Sequence, residues 1–263
     1  MPAGLLDVYV AGFVVRCESM RRPGQAKVDE PGVHGLLPCA DAPFARLLVT
    51  DDRARELLPS LLRDVDAGTV NVLGESPRCL DVMDQHPAWT RSHTARAMVC
   101  PDLAALPVLA LPRGLKLQPV RRTSADAADA VPLDQAVAAA MRADPRIAGP
   151  AATFADYLRS LSRTVRLFAA VATDGTVRAT SGCDAVGPAA RVFFVNTDPE
   201  CRRQGIGLAM TSHALRAARG SGARNASLDA SGAGQRMYER LGFAAVTQAT
   251  RFTAERAAAA AGG

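Results

Sequence analysis

Val195-Asn196-Thr197-Asp198-Pro199-Glu200-Cys201-Arg202-Arg203-Gln204-Gly205-Ile206-Gly207 decides how this chain is read. It follows the apolar run Arg191-Val192-Phe193-Phe194-Val195 and precedes a helical pattern from about Ile206 to Arg219. The segment therefore reads as strand, loop and helix start. An anion held there meets the free N–H groups of the first helical turn and the positive end of the helix dipole. Gly205 and Gly207 lack Cβ atoms, so a phosphate can approach the backbone closely. Arg202 and Arg203 add countercharge. In physical terms this is a pyrophosphate cradle. No GK[ST] follows, so it is not a Walker loop, and Met210 stands where a dinucleotide fingerprint needs its third glycine.

Outward from the cradle the second half reads as regular elements. Residues 115–120 alternate as a strand. Ser124 is placed to cap a helix toward Met141, kinked or restarted at Pro132. Thr153 with Asp156 opens a short helix from Phe154 to Leu161. Strands are expected at Val165 to Ala172, Val177 to Asp184 and Arg191 to Val195, joined by turns at Asp174-Gly175 and Gly187-Pro188. Beyond the cradle helix come a strand at Ala226 to Ala230, a helix at Gln235 to Leu241, and two closing strands, Ala244 to Val246 and Ala249 to Thr253.

Arg202-x-x-Gly205-x-Gly207 after the strand, together with Leu228-Asp229-Ala230-Ser231 and Met237-Tyr238-Glu239-Arg240-Leu241-Gly242-Phe243, resembles the two motifs of the Gcn5-related N-acetyltransferase (GNAT) superfamily. The resemblance covers residues 115–253. It implies an α+β fold: a mixed, mostly antiparallel sheet flanked by helices. It implies an acetyl-CoA-dependent N-acyltransferase acting by direct transfer to an amine. Val195, Asn196 and Thr197 would pair with the pantetheine arm and polarise the thioester carbonyl. Arg202, Arg203, Gln204, Gly205, Ile206 and Gly207 would surround the pyrophosphate, and Tyr238 would protonate the leaving thiolate. Ser231 stands where many members have an Asn, with Gly232 and Gly234 after it, so the pantetheine contacts there are expected to differ. The general base has no assigned residue: Asp184, Glu200 and water-mediated proton loss are all open.

The first half is different in charge. Residues 1–114 hold 12 basic and 14 acidic side chains, and residues 115–263 hold 19 and 12. An anion site is therefore expected in the second half. The segment Pro101 to Gly114 has three prolines and a glycine and reads as a connector. Before it, strands at Val33 to Leu37, Ala45 to Val49, Thr69 to Leu73 and His93 to Val99 enclose helices at 51–66 and Ser76 to Gln85. This β-α-β-α-β order repeats that of residues 191–252, so the first half is expected to be a partial or degenerate copy, with two lobes in all. Thr50-Asp51-Asp52-Arg53 has acids and no glycine at the matching loop, which predicts one donor molecule per chain. The expected division is 1–100, the connector 101–114, a catalytic domain 115–256 and a fraying tail 257–263.

Other classes are disfavoured. The six cysteines have no CxxC spacing and the four histidines no HExxH, so no metal site is expected. Scattered thiols, no basic-plus-apolar leader and no long apolar run together predict a cytoplasmic protein without a membrane partner. Cys183 and Cys201 lack an activating context and read as incidental thiols. His213 and Trp89 read as packing residues. Nucleic acid is not an expected partner, because +5 over 263 residues comes without a helix-turn-helix, RNP or zinc signature. A CoA-binding regulator without turnover is the alternative to the enzyme. Monomer and homodimer are both open, and no segment names the acceptor.

Overall fold

Leu5–Met20 forms a helix, α1, that no sequence period marks. Its apolar residues, Val8, Val10, Val14 and Val15 among them, do not form a single 3.6-residue stripe. Tyr9, Phe13, Cys17 and Met20 are nonetheless buried. The computed structural model describes residues 4–40, 42, 44–65, 67–123, 127, 129–144, 147 and 151–254. The tail 257–263 and Ser124, the expected cap, lie outside them.

After α1 come β1 (Lys27–Glu30), β2 (Val33–Leu36) and β3 (Ala45–Val49). The single helix expected over 51–66 is divided into a 3-10 turn, Asp52–Glu56, and a short α2, Leu58–Leu62. Pro59 explains the division: with no N–H it fits only the first turn of a helix, so α2 must start beside it. β4 (Gly68–Leu73), α3 (Pro77–Gln85) and β5 (Thr90–Cys100) complete the series.

The second half runs β6 (Leu115–Arg121), β7 (Val131–Pro132), α4 (Leu133–Ala143), α5 (Ala151–Ser160), β8 (Val165–Ala172), β9 (Val177–Val186), β10 (Ala189–Thr197), α6 (Ile206–Gly220), β11 (Asn225–Ala230), α7 (Gln235–Glu239) and β12 (Ala244–Ala254). Pro132 precedes α4 and marks its start. The two closing strands expected from sequence are one continuous strand, β12.

The chain divides into two compact units that are not contiguous in sequence. The first takes residues up to Met98, together with Asp229–Gln235 and β12 from Ala245. Its sheet order is β1-β2-β3-β4-β12-β5. β12 belongs there because it pairs antiparallel with β4, from Ala249↔Leu73 to Ala254↔Gly68. The core of this unit gathers Leu47, Val49, Val70, Val72 and Phe252 from three neighbouring strands, packed with Leu58, Leu62, Met83 and Trp89. Leu47 and Val49 on β3, and Val70 and Val72 on β4, fall at every second position and so share one face, while Leu48 and Leu73 are buried as well. The second unit spans Val99–Leu228 and Arg236–Ala244, with sheet order β11-β10-β9-β8-β6-β7. The 101–114 segment is part of it: Leu103 N–H donates to the Arg224 carbonyl, and Ser212 Oγ on α6 donates to the Pro107 carbonyl.

Phe252 is fully buried, and Trp89, the only tryptophan, shares its cluster. Phe252→Ala should cost about 3–5 kcal/mol. A urea titration followed by Trp89 fluorescence should show the midpoint fall; an unchanged midpoint would mean that β12 does not hold the first unit together.

Candidate active site

β10 and β11 are parallel partners, but only from Ala189↔Asn225 to Arg191↔Ser227. β10 continues to Thr197 and β11 to Ala230 without further pairing to each other. The strands part because β10 carries an extra residue. Its antiparallel register with β9 steps from Phe193↔Gly182 to Asn196↔Thr180, a bulge that bends the strand. Phe194 takes the left-handed conformation, φ 58°, within this bulge. Thr180 Oγ1 donates to the Phe194 carbonyl and Asn196 Nδ2 to Thr180 Oγ1, which holds the bend on the β9 side. On the β11 side the half-exposed edge Val195, Asn196 and Thr197 has lost its ladder partner.

The loop that follows is braced on both sides. Arg178 forms ion pairs with Asp198 (3.5 Å) and Glu200 (3.6 Å). Arg202, expected as free countercharge, donates through Nε to the Thr197 carbonyl (3.2 Å) and through Nη2 to the Ala143 carbonyl (2.7 Å). Arg203 is exposed at φ 67°. Phe194 and Arg203 are the only non-glycine residues with positive φ among those described, and both fall in this one segment. Each costs of order 1–3 kcal/mol, a strain that characteristically collects at ligand sites. Gly205, at φ 79°, caps α6, and open space surrounds the position its Cβ would take. The N–H groups of Gly205, Ile206, Gly207 and Leu208 have no hydrogen-bond partner among the described residues. A Cβ on Gly207 would lie 3.0 Å from Met237 Sδ and 3.3 Å from Thr197 Oγ1. The ends of β10, α6 and α7 thus converge at that glycine. Ile206 is buried and anchors the helix start, while Gln204 is exposed.

Tyr238, on α7, is 7% exposed, and its ring meets Phe243 edge-on at 5.8 Å. Its hydroxyl has no hydrogen-bond partner among the described residues. Burial pushes the phenol well above its usual range, so it stays a neutral donor. Ser231 falls within the first unit, where its carbonyl accepts from the Gly234 and Gln235 N–H groups. Asp184 is fully buried, accepts from Thr164 Oγ1 (2.8 Å) and stands opposite Arg191 in the strand register. Glu200 is exposed on the loop. His213 packs its ring against Phe168 at 4.5 Å, and burial, then Arg216, lowers its pKa. Among the described residues no cluster of His, Cys, Asp and Glu could hold a metal ion. Among the same residues no helix is long and apolar enough to cross a membrane.

Two contributors carry no sequence signal. Phe194 is not a turn-forming residue, and its φ arises only from the bulge. Met237 sits inside the second motif, but its approach to Gly207 is a tertiary contact.

The first unit has the matching order without the opening. β3 and β4 pair in parallel over all of β3, from Ala45↔Gly68 to Val49↔Val72. Asp51 accepts from Arg53 N–H and its guanidinium, which lowers the carboxyl's pKa. Asp52 Oδ1 accepts from the Arg78 and Cys79 N–H groups at the start of α3. Carboxylates of the chain itself occupy donors that a phosphate would need.

A family model described as an acetyltransferase (GNAT) domain matches residues 164–245, the span from β8 through the cradle to β12. This is a GNAT fold. A GCN5-related N-acetyltransferase from Kribbella flavida is similar over 100% of this chain and 98% of its own, at 18% identity and a TM-score of 0.62. One from Sphaerobacter thermophilus is similar over 95% and 93%, at 16% identity and 0.56. A tandem GNAT protein from the clavulanic acid biosynthesis pathway is similar over 95% and 88%, at 18% identity and 0.53. No curated protein matches by sequence. The two compact units and the mostly antiparallel sheet flanked by helices are thus features of the GNAT fold.

Burial raises the pKa of Cys183 and Cys79 to about 12, with Asp52 adding to the shift at Cys79. Neither thiol is a usable nucleophile near neutral pH. Iodoacetamide at pH 8 should modify the partly exposed Cys39 and Cys201 first and leave Cys79 and Cys183 unlabelled until the chain unfolds, as read by peptide mass spectrometry. Fast labelling of Cys183 in the folded protein would reopen a covalent route.

Proposed function

We propose that the second unit is an acetyl-CoA-dependent N-acyltransferase that moves the acetyl group directly to an amine. The observation that carries this reading is the parting of β10 from β11 beside a helix start with four unpartnered N–H groups. A pantetheine arm would take the place of the missing strand partner along Val195, Asn196 and Thr197. An N–H of that edge would polarise the thioester carbonyl. The pyrophosphate would lie on the N–H groups from Gln204 to Leu208, with Arg203 as its countercharge. Arg202 braces the loop through the Thr197 and Ala143 carbonyls.

The amine nitrogen attacks the acetyl carbon, the C–N bond forms and the C–S bond breaks. Tyr238 supplies a proton to the departing thiolate, and the amine loses one to water. The acid is neutral throughout ordinary assay conditions, because burial moves the phenol upward. The rate should therefore show no alkaline fall from Tyr238 between pH 7 and about 9.5, below the free phenol's own value near 10. The six free cysteines fit a reducing cytoplasm.

The test is acetyl-CoA mixed with a panel of amines: peptide N-termini, amino sugars, polyamines and small metabolites. Released CoA thiol is measured. At least one amine should release thiol. CoA binding without release from any amine would favour a regulatory protein. Tyr238→Phe should lower kcat by roughly 10²-fold or more with CoA affinity nearly unchanged; unchanged turnover would remove the acid role. Gly205→Glu should abolish CoA binding, because it puts a strained side chain and a negative charge in the open space at the cap. Calorimetry should give one CoA per chain, and a second site of similar affinity would contradict the account of the first unit.

A further inference from the structure

We propose that Arg202 is a positioning residue: it ties the cradle loop to α4, which packs with α5, so that filling the cradle is felt in these two helices. The proposal rests on the donor-site reading above.

The geometry is that of a strut. Ala143 is the last residue of α4, and its carbonyl is one of those a helix end leaves without an intrahelical donor. A guanidinium there also meets the negative end of the helix dipole. Arg202 Nη2 lies 2.7 Å from that oxygen, a short charge-assisted bond, while Nε reaches the Thr197 carbonyl at the end of β10. The rigid fork of arginine makes both bonds at once from one plane. To face a phosphate the group would have to leave both carbonyls. Arg203, with no partner among the described residues, can take that role without breaking anything.

The neighbouring residue makes the strut responsive. Arg203, at φ 67°, and Gly205, at 79°, join the strut to the start of α6, so cradle and strut share one short backbone segment. α5 meets the same strand at a second point, where Phe154 lies 5.9 Å from the Phe194 ring. The far end of α5 is pinned by Arg122, which donates to the carbonyls of Leu158, Leu161 and Ser162. α4 is thereby tied at its last residue by Arg202, and α5 at its far end by Arg122.

Hydrogen exchange on the full chain, with CoA as the probe, tests this without a known acceptor. In the wild type, CoA should slow exchange both at residues 203–209 and within α4 and α5. Arg202→Ala should keep the first protection, with CoA affinity within about threefold, and lose the second. Arg202→Lys, whose single ammonium cannot reproduce the fork, should behave like the alanine variant and serves if that one fails to fold. With any amine that the panel shows to be acetylated, both variants should raise its KM at least fivefold, by rough expectation, with little change in kcat. A loss of CoA affinity of about tenfold or more would make Arg202 a phosphate contact and overturn the proposal. So would protection of α4 and α5 that survives in both variants, or that is missing in the wild type. A wild type that binds no CoA would overturn the donor reading itself, and this inference with it.

Discussion

β10 and β11 pair for three residues and then separate, and the chemistry proposed for the second unit depends on that separation. An unpaired strand edge inside a sheet is costly, since each buried backbone N–H or carbonyl needs a partner. The structure keeps the edge open by securing β10 from its other side. β9 pairs with it before and after the bulge, and Thr180 takes up the Phe194 carbonyl at the point of strain. Ser181, on the same strand, donates to the Met210 carbonyl and fixes β9 to α6. The opening is thus framed by bonds that do not depend on what enters it. Preorganisation of that kind is what a site needs if it is to orient a thioester without rearranging.

The first unit shows what happens to the same order of elements without the bulge. β3 and β4 stay paired throughout, and two aspartates cap their own loop and the start of α3. A carboxylate at a helix N-terminus is stabilising by about 0.3–1 kcal/mol, and it removes the site an external anion would use. Stability and anion binding compete for the same N–H groups. The first unit has satisfied them internally, while the second has left them open.

How much of this was legible in the sequence follows from which interactions are local. Gly205 and Gly207 at a strand-to-helix junction announce the loop and the start of α6, because a left-handed cap and a crowded contact both demand glycine. The short runs at 165–172 and 177–184, joined by the Asp174-Gly175 turn, give β8 and β9 for the same reason: strand and turn signals are local in sequence. α1 was not legible, since its burial comes from tertiary packing around the helix and not from one apolar stripe. The length of β12 was hidden as well. Gln248 interrupts its apolar pattern, yet the strand continues because β4 supplies the ladder. Arg202 shows the limit at the site. An arginine beside a phosphate loop reads as countercharge, and only the position of the Ala143 carbonyl, 59 residues earlier, reveals the bond it makes.

Burial also separates the two proton roles that the proposed reaction requires. Asp184 has the right chemistry for a base, but it is fully buried, bonded to Thr164 and set opposite Arg191 in the register. A carboxylate with no route to solvent cannot pass a proton onward. Glu200 is in solvent, but it faces Arg178 on the outer side of the loop. Neither carboxylate lies on the open edge of β10. Tyr238 differs from both: it is almost enclosed, without a protein partner among the described residues, and burial favours its neutral form. The group that must keep its proton is therefore the one shielded from water. In the proposed reaction the amine would lose its proton at the half-exposed strand edge, which is open to solvent.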